Sequence, residues 1–139
     1  MVELTVIRNI SASIDTVWAV LDDYGNLSWI PGADNVEVIG EGVGMTRRLH
    51  MPGLDSPIDE TLTAKDIAAK TFSYTIPKNA VIPFDDYNAT VSVTGDGDSA
   101  TVNWYCSFDQ GDVPEADAKS MIEGSYTMML DALADKLEA

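Results

Sequence analysis

Arg47 and Glu60 are the residues whose types and spacing best suit a reaction or a specific polar contact. Each lies in a segment with the alternation of a β-strand, "MTRRLHM" or "IDETLTAKD", and the turn-forming stretch "MPGLDSP" separates the two segments. If that stretch closes a hairpin, Arg47 and Glu60 lie opposite each other on neighbouring strands. Their face also carries Leu49 and Leu62. An ion pair there would be partly buried, and buried charges normally come paired.

Two interpretations of this pair remain open if the register is right. In the first, the two side chains only satisfy each other at the rim of a cavity. In the second, Arg47 uses its forked donors to orient a carboxylate or enolate oxygen. Glu60 is then a general acid or base whose pKa is adjusted by its surroundings. Arg47 and Glu60 are therefore the candidate catalytic residues.

The single histidine and the single cysteine are weaker candidates. His50 falls on the strand face opposite Arg47, which predicts an outward side chain, although histidine is the usual general base near neutral pH. Cys106 falls on an apolar face, where a free thiol behaves as a small hydrophobe. One histidine and one cysteine would need carboxylates to complete a zinc site, so we expect no metal. Since phosphate-loop and dinucleotide motifs are also missing from the sequence, we expect no cofactor.

The elements that must position these residues begin with a strand and a helix. "LTVIRNI" (4–10) is rich in β-branched residues and predicts the first strand. Ser11 or Ser13 can cap the helix that follows. Gly25 ends that helix, and "NLSWI" predicts a second short helical turn, stopped by a Pro-Gly pair.

Beyond this point the apolar periodicity changes from about 3.6 residues to 2. Six strand candidates follow in the order 36–40, 45–51, 58–66, 70–76, 87–94 and 100–108. Between the last two, "GDGD" is a strong hairpin signal. A four-residue loop there pairs Val91 with Val102 and Ala89 with Trp104, and gives the hairpin one apolar and one polar face.

The last segment predicts a long helix with a wide apolar stripe, and Pro114 can occupy its first position. The stripe comprises Ala118, Met121, Ile122, Ser125, Tyr126, Met129, Leu130, Leu133 and Leu137. The simplest arrangement that buries every apolar face is a seven-stranded curved antiparallel sheet wrapped around this helix. We therefore predict an α+β fold with one strand, two short helices, six strands and a long helix, in a single domain over residues 1–139.

The charge balance limits the partners. Twenty-three acidic residues against eight lysines and arginines give a formal net charge of −15. A field of that sign repels phosphate backbones and anionic headgroups, so we expect no nucleic acid and no membrane insertion. The sequence also lacks an apolar run of the ~18 residues that a membrane span needs, and its start lacks a signal-peptide pattern. Together with the single cysteine, this favours a cytoplasmic protein.

The order of elements resembles the helix-grip fold of the START and polyketide-cyclase superfamily (SRPBCC), whose plant members include the major birch-pollen allergen. "VWAVLDDYGNLSWIPG" resembles the opening helix pair, in which a Trp shortly precedes a Pro, and "GVGMTRRLHM" resembles the Gly-x-Gly-x-x-Arg strand. "DETLTAKD" with "FSYTI" resembles the Glu-x-Leu…Asp…Tyr hairpin, and "PFDDYNATVSVT…ATVNWYCSF" resembles the final strand pair. The resemblance covers nearly the whole chain and is strongest to the bacterial polyketide cyclase/dehydrase and lipid-transport type.

This resemblance implies an internal cavity between the sheet and the C-terminal helix that binds a hydrophobic small molecule. Aromatic residues and methionines suit the wall of an adaptable apolar pocket. The residues expected to bind the ligand are Trp29, Leu49, Met51, Leu62, Tyr74, Tyr87, Trp104, Met121, Ser125 and Met129.

Three functions remain open. The first is a carrier or sensor of a hydrophobic or amphipathic small molecule, acting as a monomer or homodimer. The second is an enzyme of the polyketide cyclase or dehydratase type, which acts on an aromatic or polyketide-like substrate through Arg47, Glu60 and a tyrosine. The third is an interaction module, which an exposed apolar patch of several hundred Å² would favour. A pocket of ~300–1,000 Å³ with a few convergent polar groups would support a carrier or an enzyme over a fold whose centre is filled.

Overall fold

The chain forms one curved antiparallel sheet and two helices, as a computed structural model shows for residues 1–33, 35–53, 55–77 and 81–138. The elements are, in chain order, β1 (Val2–Ile10), α1 (Ile14–Asp22), β2 (Val36–Ile39), β3 (Thr46–Leu49), β4 (Ile58–Asp66), β5 (Thr71–Ile76), β6 (Asp85–Asp96), β7 (Ser99–Asp109) and α2 (Glu115–Glu138). The predicted α+β class and the predicted strands are confirmed. Leu54, in the connection between β3 and β4, lies outside the described residues.

The sheet has the strand order β1-β7-β6-β5-β4-β3-β2, and every neighbouring pair is antiparallel. Burial alternates along the central strands, because successive side chains point to opposite faces. In β7 the buried positions are Ala100, Val102, Trp104, Cys106 and Phe108. The concave face therefore carries the core, and the convex face carries polar side chains such as Thr101 and Asn103.

The hairpin between β6 and β7 is tighter than predicted. The strands continue to a pair between Asp96 and Ser99, so the turn has two residues rather than four. The observed pairs include Val91 with Trp104 and Ala89 with Cys106. Gly95 permits this tightness, since its φ is +132° and an added Cβ would lie 2.4 Å from the Ser99 carbonyl oxygen. The predicted register was wrong by two residues, and a shift of two leaves every side chain on its predicted face.

The segment around α1 covers one end of the concave face. Ser13 caps α1 and accepts a hydrogen bond from the Thr16 backbone N–H. After the helix, "NLSWI" forms two consecutive turns, in which Ile30 N–H donates to Leu27 and Ala33 N–H donates to Ile30. These turns stand where the sequence suggested a second short helix, because the Pro-Gly pair leaves too few residues for one. Their apolar side chains are nevertheless buried.

Helix α2 lies along the concave face and buries one side against it. Its buried residues are Ala118, Ile122, Tyr126, Leu130, Leu133 and Ala134. Met121 was predicted in this stripe, but it is 53% exposed. The reason is angular, since each residue advances about 100° around a helix and Ile122 occupies the inward direction. Among the described residues, neither helix is long and apolar enough to cross a lipid bilayer.

Candidate functional site

Strands β3 and β4 place Arg47 directly opposite Glu60, as predicted. Arg47 Nε donates to Glu60 Oε1 at 2.7 Å, and the two side chains are only 5% and 14% exposed. We call this the inner ion pair. The neighbouring residues, Arg48 and Asp59, form a two-pronged pair at 2.8 and 3.1 Å on the convex face, where each is about one-third exposed. This outer ion pair is a natural internal control for the inner one.

Tyr24 holds the other side of the Arg47 guanidinium. Arg47 Nη1 donates to the Tyr24 carbonyl oxygen at 3.0 Å. The guanidinium carbon lies 4.0 Å from the centroid of the Tyr24 ring and 5.2 Å from that of Tyr74, within the range of cation–π attraction. Burial alone would lower the pKa of Arg47, but the Glu60 carboxylate and the two phenols outweigh it, so the pKa is raised. Arg47 is therefore a buried charge whose Nε and Nη1 both donate to protein groups.

Three buried tyrosine hydroxyls lie on the concave side of the sheet and on α2. Tyr74 Oη accepts a hydrogen bond from Trp104 Nε1 at 3.1 Å. The hydroxyls of Tyr87 and Tyr126 are hydrogen-bonded to each other, and the Tyr126 ring stacks on Trp104 with centroids 5.0 Å apart. Burial raises the pKa of each of these three tyrosines above its ordinary value. They are therefore neutral hydroxyls at physiological pH.

An internal cavity of about 150 Å³ lies between the concave face and the middle of α2. The described residues that line it are Ile30, Ala33, Leu49, Met51, Ile58, Glu60, Tyr74, Ile76, Ile82, Tyr87, Ile122, Ser125, Tyr126, Met128 and Met129. Most of this lining is apolar, and among the described residues of the lining Glu60 is the charged one. The volume is below the ~300–1,000 Å³ typical of ligand pockets. It is close to that of an engineered apolar cavity of about 150 Å³ that binds benzene.

Met128 marks the side of the cavity that approaches solvent. It is 46% exposed, and it lines both the cavity and an open groove of about 720 Å³ on the outer side of α2. The groove also carries Glu123, Asp131 and Asp135. The groove is open to solvent and carries three carboxylates, whereas the cavity is more enclosed and its lining is mainly apolar, so the cavity is the better candidate site.

Six of the residues predicted to bind a ligand line the cavity: Leu49, Met51, Tyr74, Tyr87, Ser125 and Met129. Trp104 and Leu62 are buried without lining it, and Trp104 contacts two lining residues, Tyr74 through a hydrogen bond and Tyr126 by stacking. Trp29 lines a separate depression beside α1. Met121 points to solvent, for the angular reason given above. Of the catalytic candidates, Glu60 lines the cavity and Arg47 lies behind it.

Tyr24 and Tyr126 are the important residues that sequence reasoning missed. Tyr126 stood in the predicted apolar stripe, so its helical position was the available signal. Tyr24 lies just after α1, where no periodicity applies, and its contact with Arg47 spans 23 residues of sequence. Alternation could have found Ile58 and Ile76, because each shares a strand face with a predicted residue, Glu60 or Tyr74.

His50 and Cys106 lie where the alternation predicted. His50 Nε2 is hydrogen-bonded to the Glu37 carboxylate, and the His50 side chain is 35% exposed. Cys106 is fully buried on the concave face, and burial raises the pKa of its thiol. Neither residue lines the cavity.

A curved antiparallel sheet wrapped around a long helix, with an apolar cavity between them, defines the helix-grip class of proteins. Residues 1–138 match the protein-family model described as polyketide cyclase / dehydrase and lipid transport. The chain therefore belongs to this family, which confirms the resemblance found in the sequence. Comparison with curated proteins gives no significant match.

Solved structures show the same fold. An uncharacterized protein from Bacillus thuringiensis has a TM-score of 0.88 at 24% identity, with 99% of this chain and 100% of that chain covered. The protein XoxI from Bacillus cereus has a TM-score of 0.86 at 26% identity, with 99% and 96% covered. Norcoclaurine synthase from Thalictrum flavum has a TM-score of 0.75 at 19% identity, with 96% and 84% covered. The first and the last of these structures are less than 25% identical to this chain and therefore establish the fold alone.

Proposed function

We propose that this protein binds a hydrophobic or amphipathic small molecule in the cavity between the sheet and α2. The observation that carries the proposal is a mainly apolar cavity whose described lining includes one carboxylate residue, Glu60, and the hydroxyl-bearing residues Tyr74, Tyr87, Ser125 and Tyr126. Sites for small molecules have this character, with mainly apolar walls and a few polar groups that fix orientation. The description of the family, which includes lipid transport, supports the same reading. Since the single cysteine is buried and unpaired, we place this binding in the cytoplasm.

The position of Ile122 beside Met121 on α2 provides a direct test. Ile122 is 9% exposed and lines the cavity, whereas Met121 is 53% exposed and points away. We expect Ile122→Trp to fill the cavity and to abolish binding of toluene in ligand-observed NMR. Met121→Trp introduces the same side chain one residue earlier and should bind toluene like the wild type.

Circular dichroism checks that each variant folds. Ser125→Leu is a second variant that should block the cavity, and it is not expected to unfold the protein because Ser125 is a solvent-exposed residue of the lining. Native mass spectrometry of protein from its own host should show a co-purifying ligand. The proposal fails if the wild type binds neither toluene nor a host compound, or if both obstructing variants bind toluene normally.

Catalysis in the same cavity is a second candidate, favoured by the position of Glu60 beside neutral tyrosines. Glu60 would accept a proton from the carbon next to a substrate carbonyl, and the hydroxyl of Tyr74 or Tyr87 would hydrogen-bond the resulting enolate oxygen. The norcoclaurine synthase of Thalictrum flavum, which shares this fold, has been solved in complex with dopamine and hydroxybenzaldehyde. Carbonyl compounds are therefore the first substrates to assay.

An enzyme and a carrier respond differently to Glu60→Gln. If the protein is an enzyme, this variant should lose about 10²–10⁴-fold in turnover, the usual contribution of a general base. It should still bind a purely apolar ligand such as toluene. Turnover that is unchanged in Glu60→Gln would contradict the catalytic role and leave the binding proposal intact.

A further inference from the structure

The polar groups of the cavity define which end group a ligand can present. We infer that the cavity selects a small apolar compound, of about one aromatic ring, that carries a hydroxyl or amino hydrogen-bond donor, and that Glu60 is the acceptor. The same arrangement excludes carboxylates. This inference rests on the proposed binding function and specifies its ligand class.

The first step is that Arg47 has little to offer an anionic ligand. Its Nε donates to Glu60 at 2.7 Å, and its Nη1 donates to the Tyr24 carbonyl at 3.0 Å. The face of the guanidinium lies over the Tyr24 ring, and the side chain is 5% exposed. Arg47 is also outside the lining of the cavity. The sequence-based idea that Arg47 orients a carboxylate or enolate oxygen of a ligand therefore has no geometric support.

The second step is that Glu60 retains accepting capacity toward the cavity. A carboxylate has about four acceptor positions. The inner ion pair uses one of them on Oε1. The Glu60 side chain lines the cavity and is 14% exposed. A ligand hydroxyl or amine could therefore donate to Glu60 while Arg47 continues to neutralise the charge.

The third step concerns the tyrosine hydroxyls of the lining, each of which already has a hydrogen-bond partner within the protein. Tyr74 already accepts from Trp104, and Tyr87 is hydrogen-bonded to Tyr126. These neutral groups bring no positive charge to the cavity. A ligand carboxylate would consequently face Glu60 without a cation of its own, and burying an unpaired charge is strongly unfavourable.

The fourth step is size. A space of about 150 Å³ accommodates a single ring, as shown by the engineered cavity of about 150 Å³ that takes up benzene. The surrounding methionines, Met51, Met128 and Met129, can adapt to the outline of a substituent. The ligand class is therefore a substituted monocyclic compound or an aliphatic compound of similar volume.

The test compares three compounds with one ring in common: toluene, p-cresol and p-toluate. We expect the wild type to bind p-cresol about 10- to 100-fold more tightly than toluene, the effect of one hydrogen bond to a charged group. We expect no detectable binding of p-toluate. Dissociation constants come from isothermal titration calorimetry or ligand-observed NMR.

Two variants locate the selectivity. Glu60→Gln keeps the shape of the side chain and an accepting amide oxygen but removes the charge, so it should reduce the preference for p-cresol over toluene without abolishing it. Asp59→Asn removes the adjacent carboxylate of the outer ion pair and should leave the preference unchanged, since Asp59 belongs to the convex face. The comparison among ligands in the wild type stands even if Glu60→Gln fails to fold.

The outcomes separate this inference from the binding proposal. If toluene and p-cresol bind equally, or if p-toluate binds as tightly as p-cresol, the inference is wrong and the binding function stands. A p-cresol preference that is as large in folded Glu60→Gln as in the wild type also refutes the role of the Glu60 carboxylate. If none of the three compounds binds the wild type and no host compound co-purifies, the binding function itself is contradicted.

Discussion

Because the inner ion pair is buried, the loss of stability on removing either partner can be predicted. Glu60→Leu leaves the Arg47 guanidinium, 5% exposed, without its countercharge. Removing one partner of a buried pair costs about 3–5 kcal/mol, because the remaining charge stays desolvated. Arg47→Met should fall toward the lower end of this range, since Glu60 keeps 14% exposure.

The double variant Arg47→Met/Glu60→Leu should be more stable than either single variant. Replacing a buried pair by apolar side chains is often neutral or stabilising. Here one hydrogen bond, from Arg47 to the Tyr24 carbonyl, is lost as well, at a cost of about 1 kcal/mol. The coupling free energy between the two positions should therefore be at least about 2 kcal/mol.

The assay is urea unfolding followed by tryptophan fluorescence, with a second double-mutant cycle on the outer ion pair as the control. Arg48→Met and Asp59→Leu remove charges that are each about one-third exposed, so their coupling should be much smaller than that of the inner ion pair. Equal coupling in the two cycles would show that burial of Arg47 and Glu60 carries no energetic consequence, and would refute this reasoning.

Two further predictions concern glycine and tyrosine positions. Gly25→Ala would place a Cβ 2.5 Å from Val38 Cγ2 and should destabilise by about 1–3 kcal/mol, as overpacking does, with relief in Gly25→Ala/Val38→Ala. In Gly124→Ala the added Cβ meets no atom within 4 Å, so this variant should stabilise α2 by up to about 1 kcal/mol. Both free energies of unfolding can be measured in urea. A Gly25→Ala variant more stable than Gly124→Ala would contradict the packing around the two glycines. Burial raises the pKa of four of the five tyrosines. The unfolded chain therefore releases these protons near pH 10, whereas the folded chain retains them. As a result, the free energy of unfolding should fall as pH rises above about 10. Tyr24, Tyr74, Tyr87 and Tyr126 should therefore show tyrosinate absorbance only when the protein loses its native circular dichroism spectrum. Ionisation of these four residues in a chain that keeps its native spectrum would contradict their burial.

Alternation in the sequence was sufficient to assign faces of the sheet. It placed Arg47 opposite Glu60, turned His50 outward and put Cys106 among apolar residues, and each assignment is confirmed. The reason is that successive side chains of a strand point to opposite faces, so residues an even number of positions apart share a face. We call this rule parity. The same parity explains why the hairpin between β6 and β7 kept its faces despite a register that was wrong by two residues.

The sequence predicted less accurately which side of α2 faces the sheet than which face of each strand is buried. A stripe drawn at helical spacing included Met121, yet the helix turns Ile122 toward the sheet and Met121 toward water. The spacing of apolar residues gives the width of the apolar stripe only approximately, and it does not say which residue of the stripe points most directly at the sheet. Contacts with the sheet, such as the stacking of Tyr126 on Trp104, decide its centre.

The sequence by itself determined the strand faces, the pairing of Arg47 with Glu60 and the order of the strands, because these depend on local periodicity and on residues within one hairpin. Only the tertiary structure decided that Arg47 is turned toward Tyr24 and that Glu60 faces the cavity. It also decided the volume of that cavity, about 150 Å³. These three outcomes depend on how side chains from distant segments fill a common space, and packing of this kind leaves no periodic trace in the sequence.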